Sequence, residues 1–310
     1  MKKIAFICAD GLGAFVRPVV NSLPDTYETQ LFLVRNEKEI NEAIEWGDIL
    51  WFEWANEVAV YGTRVQEIVP DDQKIIVRLH SYEALSGLAK RISWHKVDAC
   101  IFVAAHVHAM VQHQITAIDE ITKCRIVHNG VDTKAFNFEG EKQPGKDIAF
   151  LGNISNKKGP MLLMQAFNVL PPEYKLHIAG AMQEERYNIY LGNIIKEMGI
   201  EDRVEFCGAV DNVPEWLQDK QYIVCTSPWE GCPVGLLEAM ACGLKPLIHS
   251  YVGSRDLFPD EWIWATVDDF KKMALDTAFE PKKYRRFVEK DFSFENQMKG
   301  IRDVLDEVVG

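Results

Sequence analysis

The sequence predicts an α/β protein of two doubly wound, Rossmann-like domains facing across a cleft. Three observations carry that expectation. Short apolar runs alternate with helical patterns along the whole chain, as parallel strands joined by crossover helices do. Those runs end in loops rich in Gly, Asn, His and charged residues, the ligand-binding end of an open parallel sheet. And 310 residues exceed what one core usually organises, so two domains of about 150 residues each are expected.

Composition narrows the function. A hydrophobic content of 47% suits a folded globular chain. The formal charge of −12 argues against an extended nucleic-acid surface, which needs clustered Lys and Arg, but leaves a local anion pocket open. The seven cysteines, Cys8, Cys100, Cys124, Cys207, Cys225, Cys232 and Cys242, form no Cys-x-x-Cys pair and fall mostly in apolar runs. They read as reduced core thiols of a cytoplasmic protein. Met1-Lys2-Lys3 precedes only a short apolar run ended by Asp10, so neither a signal peptide nor a membrane span is expected.

Taken in order, Ile4 to Ala9 reads as a first strand entering the turn Asp10-Gly11-Leu12-Gly13 and then a helix. As a dinucleotide fingerprint this is poor. Val16 occupies the third glycine position, and Arg35 and Asn36 follow the next strand where NAD sites carry an acid. Gly13 still lets backbone approach a ligand closely. A helix around Glu37 to Trp46 and a strand Ile49 to Phe52 lead to Glu53-Trp54, whose ring is placed to stack on a sugar or an acceptor. Of Trp46, Trp51 and Trp54, at least two are expected to be mostly core. The strand Ile75 to Leu79 ends in His80. Ala99 to Val103 precedes His106-Val107-His108, but no carboxylate or cysteine joins these histidines at ligand spacing, and no metal site is expected. Residues 134–146 lose apolar periodicity and read as an interdomain linker.

The second half opens with a strand, Asp147 to Leu151, followed by Gly152-Asn153 and Lys157-Lys158-Gly159-Pro160, where a helix should begin. Glycine backbone, a lysine pair and a helix start make an anion site, though not a P-loop. Strands Lys175 to Gly180 and Val204 to Gly208 flank a polar helix, Glu184 to Met198. Tyr222 to Cys225 then enters Ser-Pro-Trp-Glu-Gly-Cys-Pro-Val-Gly-Leu-Leu-Glu-Ala-Met-Ala-Cys-Gly, Ser227 to Gly243. Pro233 suits a first helical turn and Gly243 the position past the end. Glu230 then lies in the strand-end loop. Glu238 is the sole charge on a helix apolar on every face, and a buried carboxylate needs a donor. A sugar diol and a structural pair with Lys245 or Arg255 are both open. From Phe294 a helical repeat of Met298, Ile301, Leu305 and Val308 follows Ser293 as N-cap.

These separated motifs resemble the retaining glycosyltransferases of the GT-B fold, family 4 type. Glu230 and Glu238 match its Glu-x7-Glu signature within Glu-Gly-x-Pro-x4-Glu-Ala-Met-Ala-x-Gly-x-Pro; Asn129-Gly130-Val131-Asp132, Gly152, Lys158-Gly159 and Phe292-Ser293-Phe294-Glu295 fit as well. The resemblance implies an acceptor domain at 1–140, a nucleotide-sugar domain at 141–288, and a terminal helix, 289–310, packing back on the first domain. It implies transfer of a sugar from a nucleoside diphosphate, UDP or GDP among them, with retention, without a metal or other cofactor. Glu230, His80 and Lys158 would be catalytic; Glu238 would take the ribose diol. Gly231, Cys232, Val234, Asn153, Gly152, Val210 and Gly13 would line the donor, with Trp54 and Glu53 on the acceptor side. Partners would be the nucleotide sugar and a glycan, lipid, protein or small-molecule acceptor, with peripheral membrane contact. Asn153 stands where the family usually has Arg, which leaves Lys158, helped by Arg255, to meet the diphosphate. A catalytically silent nucleotide-sugar or glycan-binding protein on the same fold is the alternative.

Overall fold

The computed structural model describes residues 1–65, 72–138 and 142–310. It divides into two compact units, Met1–Asn129 with Glu295–Gly310, and Gly130–Phe294. Each holds one six-stranded sheet.

In the first unit β1 (Lys2–Ala9), α1 (Arg17–Asn21), β2 (Tyr27–Val34), α2 (Glu37–Trp46), β3 (Ile49–Glu53), α3 (Glu57–Val65), β4 (Lys74–Leu79), α4 (Tyr82–Ser86), β5 (Ala99–Phe102), α5 (Ala105–Gln114), α6 (Ile118–Ile121) and β6 (Lys123–Ile126) alternate. The strand order is β2-β1-β3-β4-β5-β6, with parallel pairings. Ile4 to Cys8 and Leu50 to Phe52 are wholly buried, which is why these strands read as continuous apolar runs rather than alternating ones. Because β2 and β3 lie on opposite sides of β1, the chain reverses direction across the sheet between β1 and β3. Loops at such a reversal splay apart at the carboxyl ends of the strands.

The second unit repeats the plan with β7 (Asp147–Leu151), α7 (Pro160–Asn168), β8 (Lys175–Ala179), α8 (Glu185–Met198), β9 (Val204–Gly208), α9 (Val213–Trp216), β10 (Tyr222–Cys225), α10 (Val234–Ala241), β11 (Lys245–His249), α11 (Ser254–Leu257), β12 (Ile263–Trp264), α12 (Val267–Leu275) and α13 (Pro281–Asp291). Its order is β12-β11-β10-β7-β8-β9, so the reversal falls between β7 and β10. Ile148, Phe150, Leu163, Phe167, Ile178 and Trp264 anchor its core. The last helix, α14 (Phe294–Val309), buries Met298, Ile301, Leu305 and Val308 in the first unit and is tied there by Arg125 Nη2 to Glu307 Oε2 at 2.6 Å.

Within the stretch read as a linker, the described residues 134–138 and 142–146 belong to the second unit. Lys142 Nζ donates to the carbonyls of Leu217 and Gln218, and Phe138 lies against Gly243. The expected boundary at 140/141 falls outside the described residues. Within 289–310, α13 ends at Asp291 and α14 starts at Phe294.

One glycine matters to the site. Gly159 caps α7 at φ 61°, and a side chain there would collide with the Thr226 carbonyl at the end of β10. Main-chain atoms on both sides leave no room to adjust. We expect Gly159→Ala to cost more than about 2 kcal/mol, read as a lower denaturant midpoint at unchanged m-value.

Candidate active site

The loops after β7 and β10 meet at the reversal of the second sheet. Lys158 closes a 3-10 turn (Asn156–Lys158) before α7, and its Nζ lies 2.5 Å from Glu230 Oε1. Ser227 Oγ donates to the same oxygen at 2.6 Å, and Thr226 Oγ1 donates to the Lys158 carbonyl at 2.8 Å. Burial works to lower the Lys158 pKa, but the Glu230 charge outweighs it and the ammonium is held above its ordinary value. Its side chain is 24% exposed and that of Glu230 14%, so both still reach solvent. A cavity of about 30 Å³ lined by Lys158, Ser227, Glu230, Pro233 and Gly235 adjoins them, room for about one water. A larger cavity, about 590 Å³, lies in the first unit among Asn41, Glu45, Asp48, Tyr61 and Asp72, with acids but no cation among its described lining residues.

Pro233 is the N-cap of α10 rather than its first residue, and no side chain caps the helix. The Val234 and Gly235 N–H groups find no acceptor among the described residues. Unfilled amides at a helix start, with no acid in the first turn, favour an anion. Gly243, at φ 78°, ends the helix as expected. Glu238 stands in the fifth position, with Leu237, Ala239, Met240 and Ala241 around it wholly buried. Its carboxylate has no hydrogen-bond or ion-pair partner among the described residues. Burial alone pushes its pKa up to about 7. The structural pairing left open by the sequence is not formed: Lys245 pairs with Asp276 at 3.4 Å, and Arg255 with Asp260. Arg255 is therefore engaged elsewhere, not at the anion loop.

The remaining sequence candidates divide by unit. Asn153 Oδ1 accepts the Ala181 N–H at 3.1 Å, so the residue in the arginine position bridges the loops after β7 and β8. Gly152 lies beside the Lys158 side chain. Gly231 and Cys232 are buried, Val234 opens α10, and Val210 is half-buried after β9. Gly13 sits in the first unit against Leu33 and Arg17, in the loop after β1. Trp51 is wholly buried, while Trp46, packed against Phe32, and Trp54 are half-buried and keep part of their surface exposed. Glu53, expected on the acceptor side, is fully buried, with Arg78, His80 and Trp51 occupying its carboxylate. His80 Nε2 lies 2.8 Å from Glu53 Oε1, and its ring stacks on Trp54.

Sequence reasoning missed several partners. Ser227 and Thr226, which fix Glu230 and Lys158, precede Pro228 as ordinary loop residues, and only their place at the end of β10 marks them. Glu83, fully buried, accepts the N–H groups of His80, Ser81 and Ala55, the first-turn acid whose position before a helix was the available signal. The histidine-rich start of α5 does gain acid and thiol neighbours. His108, Asp119 and Cys124 bring ligand atoms within 4.8 Å of one another, as do His177, Glu205 and Cys207. Their partners come from α6, β6 and β9, so local spacing could not reveal them. In the structure His108 and Asp119 meet at 2.8 Å, and His177 bridges Asp147 and Glu205 at 2.8 Å each.

With this geometry in view, residues 131–274 match the family model described as Glycosyl transferases group 1. Over that segment the chain is similar to the group 1 glycosyl transferases. Among curated relatives, a GDP-mannose:cellobiosyl-diphosphopolyprenol alpha-mannosyltransferase of Xanthomonas campestris is 30% identical over 41% of this chain and 34% of its own length. An N-acetylgalactosamine-N,N'-diacetylbacillosaminyl-diphospho-undecaprenol 4-alpha-N-acetylgalactosaminyltransferase of Campylobacter jejuni is 26% identical over 60% and 51%. The chain thus spans about a third to a half of these relatives. The Anabaena protein HepE, solved in complex with UDP-glucose, superposes at a TM-score of 0.80 over 99% of this chain and 100% of that one, at 17% identity. At that identity the likeness shows the fold, which is GT-B. No helix among the described residues is long and apolar enough to cross a membrane.

Glu238 makes the second unit pH-sensitive. A carboxyl with a folded pKa near 7 holds its proton more tightly than the unfolded chain, with its model value of 4.5, so stability falls as pH rises through that window. Between pH 4.5 and 8 the wild type should lose up to about 3 kcal/mol relative to Glu238→Gln, at about 1.36 kcal/mol per pKa unit. Paired urea melts across that range check it. Parallel profiles for the two proteins would remove the burial argument.

Proposed function

We propose that this protein transfers a sugar from a nucleoside diphosphate to an acceptor hydroxyl with retention of anomeric configuration and without a metal ion. The observation that carries the reading is Glu238, a carboxylate in an apolar helix with no donor of its own. A ribose diol would supply two donors and answer that deficit. The diphosphate would sit at Lys158 and the open amides of α10, where positive charge stabilises the leaving group as its bond to the anomeric carbon breaks. The acceptor oxygen would bond to that carbon on the same face, its proton passing to the departing phosphate oxygen. Glu230 would then face the donor sugar's hydroxyls and the positive charge developing at the anomeric carbon. That role requires Lys158 to be shared between Glu230 and the phosphate, a rearrangement the solvent-reaching pair permits. The curated relatives named above act on lipid diphosphate-linked glycans, which makes a glycan or lipid-linked acceptor the first to try. Seven cysteines with no disulfide among the described residues fit a reducing, cytoplasmic setting.

One observation favours a second reading. Asn153 is turned to the Ala181 amide, leaving Lys158 as the cation beside Glu230 in this loop. A neutral amide supports phosphate about half as strongly as a charged donor. A catalytically silent nucleotide-sugar or glycan-binding protein would need no more than this.

A thermal-shift screen of UDP-, GDP-, ADP- and CMP-sugars, followed by transfer assays with the best donor, separates the readings. One nucleotide class should stabilise the protein, by about 2.7 kcal/mol at a hundred times its dissociation constant. Glu238→Ala and Lys158→Ala should abolish that shift, and His80→Ala should lower turnover while leaving it intact. Stabilisation without hydrolysis or transfer supports the silent protein, and undiminished transfer by Glu230→Ala contradicts the role given to that side chain.

A further inference from the structure

Among the described residues other than glycine, Trp54 alone has a positive φ, 76°. A bulky residue in that region is strained and persists where its surroundings over-determine it. They do so here. Its N–H donates to the Arg78 carbonyl at 2.9 Å, its indole Nε1 to the Leu12 carbonyl at 3.2 Å, and the next N–H, of Ala55, to Glu83 at 3.2 Å. The indole stacks on His80 with centroids 3.9 Å apart and planes 27° from parallel, and Phe15 and Tyr82 flank it at 5.8 and 5.7 Å.

The support runs deeper. His80 is held by Glu53, and Glu53 by Arg78 Nη1 at 3.3 Å and Trp51 Nε1 at 2.9 Å, all but His80 and the outer rings wholly buried. Arg78 Nη2 continues to Asn129 at 2.7 Å, yet its Nε is buried with no acceptor. A buried ion pair adds little stability over apolar residues, and an unsatisfied buried donor subtracts from it. Strain and burial cost thus converge on one half-exposed ring, beside the exposed Leu12 and Tyr82. It stands between the loops after β1 and β3, at the reversal of the first sheet, where open α/β sheets take ligands.

We propose that the Trp54–His80 stack is a fixed shelf for one pyranose ring of the acceptor, so that the acceptor is a saccharide. The inference rests on the transferase reading and names its acceptor class. The negative face of an indole attracts the polarised C–H face of a sugar ring, and a ring already immobilised loses little entropy on binding. Glu53 and Arg78 act through His80 as positioning residues.

Saturation-transfer NMR on the full chain tests this with cellobiose, maltose, chitobiose and methyl mannoside as probes, and with glycerol and malate as acyclic controls. At least one saccharide should receive saturation, strongest on the C–H groups of one ring face, while the controls receive none. Trp54→Leu should weaken that saccharide at least tenfold and Trp54→Phe less, with the nucleotide thermal shift unchanged in both. Trp54→Gly, which accepts the same φ without strain, should keep the melting temperature and lose the saccharide signal. Saccharide binding unaltered in the Leu or Gly variant overturns the shelf. So does silence from every saccharide in a protein that nucleotide still stabilises. Saccharide binding without any nucleotide shift would instead sink the transferase reading and leave the shelf standing.

Discussion

A carboxylate held in an apolar helix without a donor is the constraint on which the second unit's chemistry turns. Desolvation moves the Glu238 pKa up to about 7, so near neutrality the group is poised between a tolerable neutral acid and a costly anion. Lys245 and Arg255 are committed to Asp276 and Asp260, and neither relieves it. Its partly exposed side leaves water or a ligand hydroxyl to supply the missing donors. The short helix carrying Glu238 also presents its unfilled amides at the other end, so one element offers both a carboxylate for hydroxyls and a positive pole for phosphate.

The surrounding loops are fixed by contacts that leave Lys158 and Glu230 restrained but accessible. Thr226 holds the Lys158 carbonyl, Ser227 holds Glu230, and Gly159 lets the two loops approach at their backbones. The first unit solves a similar problem differently. There a wholly buried Glu53–Arg78 pair supports the buried His80, on which the half-buried Trp54 stacks, and the strain is concentrated at Trp54. In both sheets the chemically loaded residues lie where the strand order reverses, as the geometry of open parallel sheets requires.

Much of this was legible in the sequence because it follows from local pattern. Buried parallel strands are continuous apolar runs, and a glycine past a helix end or before a proline marks a boundary, so both sheets, α7 and α10 were readable. Glu238 stood out because charge on an apolar helix is rare. What was hidden depends on distance or on conformation. Glu53 looked like a strand-end ligand, and nothing local says that Arg78 will bury it. The polar stretch 134–146 has a linker's composition, but Lys142 and Phe138 dock it by contacts to residues far along the chain. His108 gains Asp119 and Cys124 from other elements. The backbone of Trp54 adopts a conformation its residue type disfavours, which no propensity reveals.

The claim that Glu238 takes the ribose diol is tested most directly by counting protons. Calorimetric titration with the stabilising nucleoside diphosphate at pH 7, in buffers of different ionisation enthalpy, reports protons released on binding. Because the free carboxyl is about half protonated there and the diol favours its anion, about half a proton per nucleotide should be released. The 2'-deoxy nucleotide and the Glu238→Gln variant should release almost none. Equal proton release by the ribo and deoxy nucleotides, or by wild type and Glu238→Gln, would contradict the account.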